Sequence, residues 1–265
     1  MTSSGQRIFV EAIRAWCGAN GVRCELRSQG WLVVMERGKT RRFALGYDVG
    51  LNSAMAHRIA SDKSATAEML AFSGIDCIPH QLFLSPKLGK DVAPEGSREA
   101  MRALLRTHPN GVVAKPNEGT SGRSVFHATN EAELDHAVSE IFGSHLSLAI
   151  SPYVEIAEEV RVVLLDGTAH AVYRKERVAD WRHNLDFGAQ PILLEEGDAR
   201  DACIAIAIRA ADAIGIRFAS VDIVRVGASW RVLEINSGVM MEALGKQHPE
   251  LVRSIYAAAL DKVFE

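Results

Sequence analysis

Two carboxylates near the C-terminal end of the chain, Asp222 and Glu234, have the residue types and spacing of a cation-binding site. They flank a short turn at 227–229 in the segment SVDIVRVGASWRVLEIN, which has the pattern of a β-hairpin. In a hairpin centred on Ala228, Asp222 faces Glu234 with roughly 4.5–5.5 Å between their Cβ atoms. Two like charges at that distance repel each other, so the pattern favours a cation between them.

Asn236 extends this acidic pair, because it follows Glu234 by two residues and therefore shares its face of the strand. Two carboxylates and an amide oxygen are suitable ligands for a hard divalent cation such as Mg²⁺. The alternative is a solvent-exposed hairpin with scattered polar residues. The opposite face argues against it, because its residues are apolar, which is typical of a central strand pair. They are Val221, Ile223, Leu233 and Ile235.

The segment VVAKPNEGTSGRSVF is a second candidate site, in which Lys115 ends an apolar strand and a polar loop follows at 117–123. Glycine lets backbone amides approach a ligand closely, and serine and threonine hydroxyls add hydrogen-bond donors. Such a loop can close over phosphate oxygens while the lysine supplies a positive charge. It differs from the G-x-x-x-x-G-K-[ST] loop, because its lysine comes first and a strand follows. Considered alone, the segment fits a flexible hairpin tip equally well.

Further positive charges occur at Lys63 and in a basic stretch at 174–184. Lys63 lies in the first turn of a predicted helix, where a cation opposes the helix dipole unless an anion is nearby. The guanidinium groups of the basic stretch could hold a substrate carboxylate and neutralise phosphate charge. Each feature alone fits a solvated surface charge. The stretch contains Arg174, Lys175, Arg177, Arg182, His183 and Asn184.

The elements that must position these residues are predicted to be mixed α/β with substantial antiparallel sheet. We expect a first helix around Ile13, then helices at 52–60, 61–74, 97–107, 130–143 and 198–215, and a last one from Pro249. Strands are expected at 22–26, 31–36, 42–47, 81–84, 111–115, 124–127, 148–150, 161–165 and 169–174. A short N-terminal lobe would span 1–60 and a main domain 61–265, with a mobile small lobe at about 85–150 and a metal-binding lobe at about 151–265.

Composition and charge argue against several classes of protein. The 265 residues carry a net charge of −3, so no general attraction to nucleic acid or to an anionic membrane is expected. No apolar run is long enough to span a bilayer, and the N-terminus lacks a signal-peptide pattern. The four cysteines show no metal-binding spacing. They fit free thiols in a reducing compartment, so we expect a cytoplasmic protein without nucleic-acid or membrane partners.

Taken in order along the chain, these motifs resemble the ATP-grasp superfamily over roughly residues 55–245. SDKSATAEMLAFSGIDCIP is similar to its D-K-x-x-T…L…G-I-P signature, and VVAKPNEGTSGRSV to its K-P…G-S-S-G loop. VDIV…LEIN resembles its metal-binding hairpin. YRKERVADWRHNLDFGA is similar to the R…R-x-N…G segment of the branch with the ribosomal-protein glutamate ligase, cyanophycin synthetase, glutathione synthetase and related ligases.

The resemblance implies an ATP-grasp fold, in which two α+β lobes grip the nucleotide behind a short pre-grasp lobe. It implies ATP and Mg²⁺ as cofactors, with Mn²⁺ as an alternative ion. ATP phosphates would be bound by Lys63, Lys115, Gly119, Thr120, Ser121 and Gly122. The base and the ribose would contact Ser151, Tyr153, Val154 and Glu159. The metal ligands would be Asp222, Glu234 and Asn236, and the phosphoryl group and carboxylate substrate would face Arg161, Arg174, Arg182 and Asn184.

Two features depart from the family pattern. Family members often carry an acidic residue at the hinge that holds adenine, whereas this chain has ISPYV at 150–154. Pro152 has no N–H to donate, so the Val154 amide and nearby carbonyls would have to bind the base, which leaves the purine preference open. The N-terminal lobe is also shorter than the usual pre-grasp domain, and this leaves the identity of the substrates open.

The activity that the resemblance implies is a ligase that converts a carboxylate into an acyl phosphate, from which an amine then displaces phosphate. An amino acid or a peptide is expected among the substrates, and catalysis would consist mainly of alignment and charge neutralisation. Two alternatives remain: a small-molecule kinase on the same fold and a non-catalytic nucleotide-binding module. A pure binding module would not need a complete set of metal ligands. The expected partners are a small-molecule carboxylate and an amine, with a homodimer as the default assembly.

Overall fold

The computed structural model describes residues 7–89, 91–92, 96–119, 124–176 and 190–265. Its helices are α1 Ile8–Ala19, α2 Ala54–Ser61, α3 Lys63–Phe72, α4 Ser97–Arg106, α5 Glu131–Ser144, α6 Asp198–Ile214, α7 Glu242–Gln247 and α8 Pro249–Phe264. Its strands are β1 Arg23–Arg27, β2 Leu32–Arg37, β3 Thr40–Leu45, β4 Gln81–Leu84, β5 Val112–Pro116, β6 Phe126–Ala128, β7 Ser147–Pro152, β8 Glu158–Leu165, β9 Thr168–Lys175, β10 Pro191–Leu193, β11 Phe218–Val226 and β12 Ser229–Asn236. No helix in these ranges has the length and apolar character needed to cross a membrane.

The strands of these ranges pair into antiparallel sheets with the orders β1-β2-β3, β4-β7-β5-β6 and β10-β9-β8-β11-β12. The expectation of a mixed α/β protein with substantial antiparallel sheet is therefore confirmed. The short strand β10 and the helix α7 lack a strong sequence pattern and were not among the expected elements. The remaining elements fall within a few residues of the expected ranges.

The N-terminal segment shares a hydrophobic core with the C-terminal end of the chain. Phe9 and Ile13 of α1 pack with Tyr256 and Leu260 of α8 in one buried cluster. The indole N–H of Trp16 donates a hydrogen bond to Asp261 at 2.8 Å. This lobe is therefore stabilised by residues far away in sequence, and the range 1–60 does not enclose its whole core.

The four-stranded sheet carries Lys115 and is covered on one face by α4 and α5. Leu105, Leu134 and Ile141 of these helices pack against Ala114 and Ile150 of the sheet. The capping pattern at the start of α5 is present, because Asn130 Oδ1 accepts a hydrogen bond from the amide of Glu133 at 3.0 Å. The edge strand β4 begins at Gln81, which is before the expected start of this lobe at about residue 85.

The five-stranded sheet carries the acidic hairpin and packs its apolar face against α6. Its β11–β12 register places Asp222 opposite Glu234, as the turn position predicts. The register shifts by one residue between Asp222 and Ile223, which is a β-bulge. Val232 therefore joins the apolar core, whereas Leu233 is only half-buried, so the placement of Leu233 in that core was wrong.

Candidate active site

A row of side chains crosses the five-stranded sheet from β9 to β12. The registers place Tyr173 opposite Arg161, Arg161 opposite Asp222, and Asp222 opposite Glu234. Directly opposed residues share one face of a sheet, and neighbouring strands are about 4.8 Å apart. The apolar Val162 and Val221 alternate with this row and face the core on the other side. The row thus contains one cation and two carboxylates, and it ends at Tyr173, which is buried in the core shared by α1 and α8.

Asp222 is buried, with 1% of its surface exposed, and both of its oxygens are hydrogen-bonded. Arg161 donates to Oδ1 at 2.6 Å and to Oδ2 at 2.7 Å, and Lys175 Nζ lies 3.2 Å from Oδ2. Burial alone would raise the pKa of Asp222, but the charges of Arg161 and Lys175 outweigh it and hold that pKa well below its ordinary value. Asp222 is therefore ionised at neutral pH.

Glu159 and Lys175 form a second buried pair beside Asp222. They lie in the next row of the same face, where the Lys175 ammonium donates a hydrogen bond to Glu159 Oε1. Burial raises the pKa of Glu159, and the adjacent Lys175 offsets part of that effect. The positive charges of Arg161 and Lys175 therefore neutralise the negative charges of Asp222 and Glu159 on this face of the sheet.

Arg174 does not share this face, although it was expected to contact the phosphoryl group. It lies opposite Val160, whose side chain is in the core on the other face, and it is exposed. Because side chains alternate along a strand, its neighbour Lys175 enters the cluster instead. The placement of Arg174 in the site is corrected in favour of Lys175.

Glu234 and Asn236 complete the expected metal-binding set, and their chemistry fits a hard divalent cation. Glu234 is half-buried beside Asp222, and Asn236 Nδ2 lies 3.5 Å from Asp222 Oδ2. This contact uses the amide nitrogen of Asn236 and leaves its carbonyl oxygen available as a ligand. The described residues contain no group of three His, Cys, Asp or Glu side chains around one point, so a cation held here would need an amide oxygen, a water or a substrate oxygen among its ligands.

Lys115 approaches these acids from the four-stranded sheet. It lies opposite Ala149 on the face that points away from the core of that lobe, and it is 8% exposed. Burial lowers the pKa of Lys115 to about 8, although the nearby Glu234 favours its charged form. A buried cation whose charge is only partly compensated is well suited to bind an anion.

Lys63 joins Lys115 because the start of α3 is tied to the polar loop. The amide and hydroxyl of Ser64 both donate to Asn117 Oδ1, at 3.1 and 2.8 Å. Lys63 Nζ donates to the carbonyl of Gly119 at 2.8 Å. This carbonyl offsets the unfavourable position of a cation at a helix N-terminus. Lys63 is thereby held where the loop begins.

Several residues with expected roles lie outside the described ranges. Gly119 is the last described residue of the polar loop before the gap at 120–123. The residues concerned are Thr120, Ser121, Gly122, Arg182 and Asn184.

The residues expected to bind the base lie at the end of β7 and in the segment that connects β7 to β8. Ser151 is buried and lies opposite Val113 on the same face as Lys115. The amide of Tyr153 donates to the carbonyl of Gly111 at 3.0 Å, and its ring stacks on His127 with 4.0 Å between centroids. The Tyr153 amide is therefore already used, whereas no carbonyl among the described residues accepts a hydrogen bond from Val154.

Comparison with known proteins agrees with this arrangement. Residues 60–250 match the model of the RimK-like ATP-grasp domain, which is more than half of the chain. The chain belongs to the RimK-like ATP-grasp domain family. A probable alpha-L-glutamate ligase of Enterobacter sp. (strain 638) is 26% identical over 209 residues, which cover 78% of this chain and 65% of that protein. A ribosomal protein bS6–L-glutamate ligase of Escherichia fergusonii is 26% identical over 214 residues, with the same coverage of each.

Solved structures show the same ATP-grasp fold. The D-alanine–D-alanine ligase of Bacillus anthracis complexed with ATP superposes with a TM-score of 0.61 at 17% identity, covering 80% of this chain and 67% of that one. A D-cycloserine synthetase superposes with a TM-score of 0.58 at 22% identity, covering 78% and 71%. At these identities the likeness concerns the fold. The chain spans about 65% of the length of the curated relatives that it matches.

The sequence motifs of the RimK-like ATP-grasp domain family did not reveal every residue of the cluster. Lys175 was noticed only as part of a basic stretch, since nothing local shows which residue of Arg174-Lys175 faces Asp222. Arg161 was expected to face the phosphoryl group, whereas here both of its hydrogen bonds go to Asp222. The alternation of β9 and β8, counted from Tyr173 and Glu159, is the signal that could have identified both orientations.

Proposed function

We propose that this chain is an ATP-dependent carboxylate–amine ligase that forms ADP, phosphate and an amide or peptide bond. The proposal rests chiefly on one observation: Asp222 faces Glu234 on one sheet while Lys115 approaches them from the other. Acids that can hold a cation and a lysine that can hold phosphate thus share one cleft. Family membership supports the same activity.

The bound nucleotide is proposed to lie between the two sheets. Its phosphates would contact Lys63, Lys115 and the polar loop, and its ribose would contact the free oxygen of Glu159. Ser151 and the Val154 amide would line the base. Binding of an anion next to Lys115 is favoured because it compensates a buried positive charge.

Mg²⁺, with Mn²⁺ as an alternative, is the proposed metal. Glu234 and the carbonyl oxygen of Asn236 are its proposed direct ligands, with the remaining lone pair of Asp222 Oδ1 as a third. When bound, the ion would neutralise phosphate charge. Arg161 and Lys175 keep Asp222 ionised and oriented, so that its carboxylate would be available as a ligand.

The proposed reaction has two steps. A carboxylate oxygen of the substrate attacks the γ-phosphorus of ATP, and ADP leaves. A neutral amine then attacks the acyl carbon, the bond between that carbon and the phosphate oxygen breaks, and phosphate and the proton of the amine are released as the amide bond forms. The residues of the cleft would align the reactants and exclude water, which would otherwise hydrolyse the acyl phosphate. We propose an amino acid or a peptide among the substrates, because the relatives are named for joining glutamate.

A screen for phosphate release tests this function. The protein would be incubated with ATP and Mg²⁺ across paired pools of amino acids, peptides and small carboxylic acids, and product masses would be measured. Phosphate release that requires both an acid and an amine, with a product equal to their condensation, supports the ligase. A stable phosphorylated product without free phosphate would instead identify a kinase.

A further inference from the structure

His80 occupies the junction between the two sheets and follows directly after the segment SDKSATAEMLAFSGIDCIP. It directly precedes β4, whose first residue, Gln81, pairs with Ile150. The preceding Ile78 donates its amide to the carbonyl of Val232 at 2.8 Å, which ties this segment to the acidic hairpin. Only 5% of His80 is exposed. A polar ring is thus buried where the two lobes meet.

The hydrogen bonds of His80 define its chemical state. Nδ1 lies 2.9 Å from the carbonyl oxygen of Ile78, and because a carbonyl only accepts, Nδ1 carries the proton. Burial, followed by the charge of Lys115, holds the pKa of His80 well below its ordinary value, so the ring is neutral. Nε2 is therefore an unprotonated acceptor. It is buried and has no hydrogen-bond partner among the described residues.

Lys115 is the cation whose charge acts most strongly on His80. Its side chain is 8% exposed, and its ammonium group has three N–H donors. Lys63, the other cation near His80, already donates to Gly119. A buried acceptor without a partner among the described residues therefore lies in the same region as an ammonium donor, and leaving that acceptor unpaired is costly.

The small-lobe sheet leaves room for these two groups to meet. Lys115 on β5 is separated from β4 by one strand, β7. The residues of β7 on this face are Ser147, Ala149 and Ser151, all of them small. If the alternation of Leu82 and Leu84 continues backward, His80 shares the face of Lys115. A lysine stem and an imidazole can then approach each other above β7.

We propose that His80 is a positioning residue that accepts a hydrogen bond from Lys115 Nζ and directs the other two N–H groups of that lysine at the nucleotide phosphates. An ammonium has three donors, so one can stay on His80 while two bind oxygen. The inference rests on the proposed function, because it assumes ATP in this cleft. It adds a neutral imidazole to the charged groups that surround Lys115.

The charged groups around Lys115 make the effect measurable. Glu234, Glu159 and Asp222 favour its protonated form and Lys63 disfavours it, whereas the neutral His80 contributes only an acceptor. Loss of that acceptor destabilises the protonated form of Lys115. Phosphate affinity should therefore decline at a lower pH than in the unaltered protein.

The test measures the dissociation constant of a non-hydrolysable ATP analogue with Mg²⁺ by titration calorimetry, at a series of pH values on both sides of about 8. The variant His80→Phe keeps a ring but removes the acceptor, and His80→Gln places an oxygen near the position of Nε2. We expect His80→Phe to weaken binding about tenfold and to move the alkaline loss of affinity to lower pH. His80→Gln should restore most of both. The exposed His136, changed to Phe, serves as the matched control and should alter neither.

Results from binding or from NMR would overturn the inference. Unchanged affinity and pH dependence in His80→Phe would show that His80 does not position Lys115. A folded His80→Gln protein that binds the ATP analogue as weakly as His80→Phe would show that His80 contributes only packing. Absence of nucleotide binding by the unaltered protein would overturn the proposed function as well, so the two failures are distinguishable. If His80→Phe does not fold, ¹⁵N NMR of the unaltered protein decides. An Nε2 that carries the proton, or that does not respond to Lys115→Met, contradicts the proposal.

Discussion

Arg161 and Asp222 are joined by two parallel hydrogen bonds across the β8–β11 pair, at 2.6 and 2.7 Å. Bidentate pairing of this kind fixes the direction of a carboxylate as well as its charge. The most buried acid of the candidate site therefore has its own counter-ion in the chain. Arg161 therefore fixes the orientation of Asp222 as well as compensating its charge.

Replacement of Arg161 by Leu should lower the free energy of unfolding by about 3–5 kcal/mol, because Asp222 would lose the stronger of its two cationic partners while staying buried. Urea denaturation measures the loss. The double variant Arg161→Leu/Asp222→Leu should recover part of it, since no uncompensated carboxylate remains. Arg225→Leu is the control, because Arg225 pairs with Glu158 on a more exposed part of the same sheet. A loss no larger for Arg161→Leu than for the control would contradict this account.

Replacement of Lys115 by Met should abolish tight nucleotide binding and yet stabilise the fold. Burial lowers the pKa of Lys115 to about 8, so at neutral pH the folded protein carries a cation that its surroundings disfavour. A neutral side chain of similar length should raise the free energy of unfolding by on the order of 1–3 kcal/mol. Denaturation at pH 7 together with calorimetry on ATP checks both effects. A destabilised Lys115→Met protein would show that the nearby carboxylates fully compensate the buried positive charge of Lys115.

The stability of the unaltered protein should also depend on pH through Lys115. Its folded-state pKa of about 8 lies below the ordinary value of 10.5, so the unfolded state binds more protons between these values. The contribution of Lys115 to stability therefore rises with pH across this window. Comparison with Lys115→Met isolates this contribution, because the variant lacks the rise. Parallel pH profiles for the two proteins would exclude it.

Glu159 should select for the ribose hydroxyls of the nucleotide. Lys175 contacts Oε1 of this carboxylate, which leaves Oε2 to accept hydrogen bonds from a ligand. We expect ATP to bind about tenfold more tightly than its 3′-deoxy analogue, in line with one hydrogen bond to a charged group. Glu159→Gln should reduce this preference. Equal affinities of the unaltered protein for the two nucleotides would assign Glu159 to charge balance with Lys175 instead.

The sequence predicted those features that depend on local pattern. The tight turn sets the register that brings Asp222 opposite Glu234, because few residues separate the two strands. Lys115 was identifiable because an apolar strand ends where a glycine-rich loop begins. The fold class followed from the order of such segments along the chain. The ligand roles of these residues remain predictions.

The features that the sequence did not predict depend on contacts between distant segments. Because of the bulge after Asp222, Val232 lies in the core in place of Leu233. A shift of one residue reverses which side chains of a strand face inward. The same alternation of side chains along β9 decides whether Arg174 or Lys175 faces Asp222. His80 gave no signal, because Lys115, the cation whose charge acts on it, lies on a strand distant from it in the sequence.

Calorimetric titration with ATP, in the presence of Mg²⁺ and in the presence of a chelator, tests the central claim most directly. The unaltered protein should bind ATP with Mg²⁺ and much more weakly without it. Glu234→Gln should fold normally yet lose most of the metal-dependent gain, whereas the exposed control Glu155→Gln should retain it. Binding of ATP that is equally strong in the chelator, or a Glu234→Gln protein that keeps the full response to Mg²⁺, would contradict the account.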